Sequence, residues 1–182
     1  MNALQYLDTL IGDDADELFG DHLPEEFRPL SSSEVAALES KGKTTLPGEV
    51  REFLLTLGTA GIMDAGRFER FDPVTHPDYE LLRLWNKAAG NDSLFESYMS
   101  DDGEGSIEEA TNRYRADMDA AHEISERAVM LDAGQFGNFT ILDPETSKVY
   151  DFCLEYDDSP NCLAPCGSFR GWAAEQLQSN WG

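Results

Sequence analysis

Apolar residues along this chain recur first at helical spacing, later at strand spacing, and at helical spacing again near the end. Leu4, Leu7, Leu10 and Ile11 mark a short first helix. An acidic run, Asp13-Asp14-Ala15-Asp16-Glu17, and a turn bounded by Pro24 and Pro29 follow it, so residues 1–30 read as an N-terminal extension. Ser31 and Glu34 have the spacing of a capping box, in which each side chain reaches the other's backbone N–H. The helix they open carries Val35 and Leu38 and is expected to stop at Lys41-Gly42. The clearest element is Leu46 to Leu57, where Leu46, Val50, Phe53, Leu54 and Leu57 make one apolar stripe. Pro47 suits its first turn, where a missing N–H costs nothing, and Gly58 suits a left-handed close.

Phe68 and Phe71, between Gly66 and Asp72-Pro73, predict a first strand. From His76 to Glu126 the period is helical again. Tyr79, Leu82 and Trp85 mark one helix, and Leu94, Phe95, Tyr98 and Met99 a second. A third runs from the Ser106/Glu109 capping box through Ile107, Ala110, Tyr114, Met118 and Ala121 to about Ile124. Two-residue alternation takes over at Ala128 to Leu131, at Phe139 to Leu142, and at Val149 to Leu154 with Tyr150, Phe152 and Leu154 on one face. Asp143 to Lys148 is the connecting hairpin loop, and Ser168 is placed to cap a last helix bearing Phe169, Trp172, Ala173 and Leu177. Hairpin-length connections forbid parallel pairing, so the late strands form an antiparallel meander. The expectation is an α+β fold in a single domain, 1–182, with a helical insertion at 76–126.

Charge narrows the functional classes. With 36 Asp and Glu against 13 Lys and Arg, the formal net charge of the 182 residues is −23 and the pI about 4.2. Most of such a surface repels nucleic acid, so a direct DNA or RNA binder is not expected. A hydrophobic fraction of 41% with three Trp, six Tyr and ten Phe is too apolar for a disordered acidic chain, so the charge coats a folded body. No segment has the composition of a signal peptide or the length of a membrane span. Three cysteines, Cys153, Cys162 and Cys166, cannot all pair internally; the default is a reducing cytoplasm.

Candidate chemistry is sparse. The three cysteines have no histidine near them in sequence, since His22, His76 and His122 lie far away, and a structural zinc site wants four ligands. Asp101-Asp102-Gly103-Glu104-Gly105 with Glu108 and Glu109 lacks the alternating oxygens of a calcium loop; the two glutamates suit a helix N-terminus instead. The G-x-S-x-G elbow, P-loop, H-E-x-x-H and G-x-G-x-x-G motifs are all missing. The expectation is therefore no catalytic, cofactor or metal residue, although a hydrolase with a dispersed acidic site stays open because active sites are recognised by geometry.

The order of elements, with these local sequences, resembles the SUKH superfamily, which includes the Smi/Knr-type cell-wall assembly regulators. The matching residues are the Ser31 to Ser40 helix, the pattern Leu46, Pro47, Phe53, Leu54, and the small-residue ending Gly58 to Gly61. With them go Asp132 to Asn138 leading into Phe139 to Asp143, the returning strand Val149 to Phe152, and Ser168-Phe169 opening a helix. The resemblance covers 31–71 and 128–178. It implies a central sheet flanked by helices and a non-enzymatic binding role, in bacterial members chiefly immunity to toxin domains delivered between competing cells. The partner it implies is a basic, nuclease-like toxin domain; the alternative is a regulatory adaptor that binds a cellular protein. Candidate anchors for such a partner are Tyr98 beside Asp101, Asp102 and Glu104, and Tyr156 beside Asp157 and Asp158, aromatics set among acids. The same clusters are also what solvated loops look like.

Overall fold

The structure is a computed structural model that describes residues 2–12, 14–20, 23–71, 123–124, 127–133, 139–152 and 163–181. Helix α1 (Ala3–Ile11) starts at Asn2, whose side chain accepts from the Gln5 N–H at 2.8 Å while the Gln5 side chain accepts from the Asn2 N–H at 3.1 Å. A short helix, α2 (Asp14–Phe19), follows. The stretch read as an extension is a structural part of the core. Tyr6, Leu7, Ile11, Ala15, Phe19 and Phe27 are buried in the same apolar cluster as the later helices. Leu7 and Ile11 belong to the expected first helix, whereas Ala15 and Phe19 lie on α2 and Phe27 in the turn that follows, among acids that hide their burial when the run is read by composition.

Helix α3 (Ser32–Gly42) opens with the expected capping box: Ser31 Oγ accepts from the Glu34 N–H, and Glu34 accepts from the Ser31 N–H at 2.7 Å. Its stop differs from expectation. Gly42 is the last helical residue, and Lys43 takes the left-handed conformation, φ 50° and ψ 39°. Gly42 is glycine for packing, since a Cβ there would lie 2.9 Å from Val129 Cγ1. Helix α4 (Gly48–Leu57) starts two residues later than the stripe predicted and buries four of the five stripe residues, Val50, Phe53, Leu54 and Leu57; Leu46 is buried just ahead of it. Pro47 stands just before the helix, its carbonyl accepting from the Arg51 N–H. Gly58 ends α4 at φ 70°, ψ −139°, a positive φ outside the left-handed helical basin. A Cβ there would sit 1.9 Å from the Arg28 carbonyl oxygen, so the crossing of the 28–30 strap also demands glycine.

The sheet is β1 (Val129–Ala133), β2 (Phe139–Asp143), β3 (Lys148–Phe152) and β4 (Leu163–Ser168), antiparallel throughout and in sequence order. Val129, Leu131, Leu142 and Val149 join the helix-side core. The alternate positions, Met130, Phe139, Ile141 and Phe152, are also buried, with Phe71 stacking its ring 5.6 Å from Phe139 and 5.2 Å from Phe152. Burial on both faces explains why exposure does not alternate along β1 and β2 as the two-residue pattern suggested.

The expected strand at Phe68 and Phe71 shrinks to one bridge, Arg70 with Val129. Asp64, Phe71 and Met130 N–H groups bond across to Leu131, Ala128 and Glu69 carbonyls, but β1 bulges between Met130 and Asp132, which breaks a regular ladder there. The 64–71 segment nevertheless covers that sheet edge. The other edge strand, β4, carries Pro165 and a second irregularity opposite Val149 and Tyr150, both deterrents to edge pairing. Helix α5 (Phe169–Trp181) leaves β4 directly: Ser168 Oγ accepts from the Gly171 N–H at 3.2 Å, and Phe169, Trp172, Ala173 and Leu177 are buried as expected. It packs against α1, α2 and α4. The helices expected within 76–126, and Leu154, lie outside the described residues, apart from a helical pair at 123–124.

Candidate functional site

Asp143 is the buried charged residue of the described core, 1% exposed. It closes β2, and the turn that follows wraps around it: the Glu145 N–H donates at 3.0 Å and Thr146 Oγ1 at 2.9 Å. Arg127, just before β1, completes the set with a two-pronged contact, Nε to Oδ1 at 2.8 Å and Nη2 to Oδ2 at 3.0 Å. Burial opposes ionisation of Asp143, but these donors outweigh it and hold the carboxyl below its ordinary range. All its lone pairs are engaged within the chain, so this constellation ties the hairpin turn to the start of β1 and offers no group for catalysis.

A second carboxylate does similar work. Glu39 Oε1 accepts from the Leu46 N–H at 2.9 Å and from Arg51 Nη1 at 2.6 Å, joining α3, the loop and α4. Other bases are spent likewise. The Lys41 ammonium donates to the Gly66 carbonyl, the Arg170 guanidinium to the Thr9 carbonyl, and Arg67 lies 3.6 Å from Asp64. Lys41, Arg51, Arg127 and Arg170 thus clasp separate parts of the fold together, while Arg67 pairs locally at the surface.

The acidic excess is unevenly placed. Helices α1, α2 and α5 pack together, and the Phe19, Phe27 and Trp181 rings knit the 23–28 turn to the end of α5 at centroid distances of 5.0 to 6.3 Å. Among the described residues, α1, α2 and the 23–28 turn carry exposed Asp8, Glu17, Glu25 and Glu26 against the exposed bases Arg28 and, from α5, Arg170. At the C-terminal end of α3 the balance reverses: Lys41, Lys43, Arg67 and Arg70 are exposed near Asp64 and Glu69. On α1, burial and the Glu52 carboxylate push the Tyr6 phenol up to about 12 against the opposing pull of Arg170.

The residues singled out as partner anchors, Tyr98, Asp101, Asp102, Glu104, Tyr156, Asp157 and Asp158, lie outside the described residues, as do Cys153, Cys162 and all three histidines. Cys166 is half-buried, and burial followed by the Asp151 carboxylate pushes its thiol up to about 12, far from the thiolate a nucleophile or metal ligand needs. Among the described residues no group of three or more His, Cys, Asp or Glu is arranged to hold a metal ion. No described helix is long and apolar enough to cross a membrane. No family model, curated protein or solved structure matches the chain.

Sequence reasoning missed the Asp143 constellation and the acidic corner. Half of the first was legible: Asp-Pro-Glu-Thr is turn chemistry in which an aspartate bonds the backbone two residues on. Arg127 lies 16 residues from Asp143, and no local signal joins them. The corner combines residues from both ends of the chain, so only the packing of α5 on α1 and α2 brings it together.

Proposed function

We propose that this chain is a non-enzymatic binding protein of the SUKH type that neutralises a basic, nuclease-like toxin domain by stoichiometric capture in the cytoplasm. The observation that carries the reading is the disposition of charge. Among the described bases, Lys41, Arg51, Arg127 and Arg170 clasp parts of the fold together, and the elements of the α1–α2–α5 corner carry exposed carboxylates with few cations among them. Such a surface steers a basic protein into encounter and raises its association rate, while affinity comes from apolar or aromatic anchors at the contact. The four-stranded sheet packed against helices is in keeping with the central sheet flanked by helices that the resemblance implies. Asp143, the buried charged residue among those described, is saturated by internal donors, so it supplies no free carboxylate for hydrolysis.

The test uses the full chain as bait in lysate of its source at low salt, followed by a salt step, mass spectrometry of the eluate and assay of the captured partner. Recovery of a basic domain whose nuclease activity falls in proportion to added chain supports the reading. A captured cellular protein whose own activity is untouched moves the assignment to an adaptor. Turnover of a substrate, abolished by a single Asp or Glu substitution with no loss of any complex, replaces it with an enzyme.

A further inference from the structure

We draw no further inference here: the strongest candidate, the acidic corner where α1, α2 and the 23–28 turn meet α5, belongs to the surface already proposed to receive the partner, and no second feature there points to a particular ligand.

Discussion

Lys43 carries a conformational cost that a single substitution can remove. A β-carbon at φ 50° is crowded by its own backbone, and the Lys43 N–H already closes the helix onto the Glu39 and Ser40 carbonyls. Lys43→Gly is expected to keep that closure and raise stability by about 0.5–1 kcal/mol, read as a higher urea midpoint at unchanged slope. Asp143 works in the opposite sense. Its folded-state carboxyl titrates below the unfolded value, so its stabilisation is present above about pH 4 and is lost as pH falls through the folded value. Asp143→Asn should cost about 2–3 kcal/mol at pH 7, because it leaves the guanidinium of Arg127 facing a neutral, largely buried group. The deficit should vanish in strong acid; a loss that is independent of pH would point to packing alone. Tyr6 shapes the alkaline limb. Its folded value of about 12 lies above the ordinary phenol value of about 10, so its contribution is complete below about pH 10 and drains away as pH climbs towards 12. Urea titrations of Tyr6→Phe between those values should fall less steeply than those of the parent protein.

Elements here end where other parts of the chain allow it. Helix α4 shows this most clearly, because its last N–H, from Gly58, reaches the Leu54 carbonyl while the Leu30 N–H reaches the same oxygen from the strap. Gly58→Ala would drive a methyl into the Arg28 carbonyl and hold alanine at φ 70°. The expected penalty is at least about 2 kcal/mol, seen as a lowered Tm, with the nearby Gly48→Ala as a control in open space. The hairpin between β2 and β3 is closed in a comparable way. The Ser147 carbonyl accepts from the Phe169 N–H at 2.8 Å, so the turn also positions the first residue of α5. Strand ends and helix starts therefore share bonds, which couples the sheet to the helical layer.

At the scale of the molecule, an excess of 23 negative charges opposes compaction, and only part of the repulsion is relieved by the internal clasps. Raising NaCl from about 0.01 M to about 0.5 M shortens the screening length from about 30 Å to a few Å. The thermal midpoint should rise over that range, and by a greater margin at pH 8 than at pH 5, where part of the carboxylate charge is already neutralised. A midpoint insensitive to salt would mean that the carboxylates are compensated by contacts within the fold, and would weaken the case for electrostatic capture of a basic partner.

The sequence by itself determined the elements whose signals are local. The Leu46 to Leu57 stripe, the Ser31/Glu34 box, the Ser168 cap and the hairpin around Asp143 follow from side-chain periodicity and from hydrogen bonds that span three or four residues. The α+β class followed from those elements and their short connections. Tertiary structure alone decided which apolar surfaces meet. It drew the apolar residues of α1, α2 and Phe27 into the core, buried β1 and β2 on both faces, reduced the Phe68–Phe71 segment to a single bridge, and gave Gly42 a packing role beside Val129. It also joined Arg127 to Asp143 and packed the end of α5 against α1 and α2 at one corner. These outcomes depend on contacts between residues far apart in the chain, and a burial pattern read one segment at a time carries no information about which partner will cover each face.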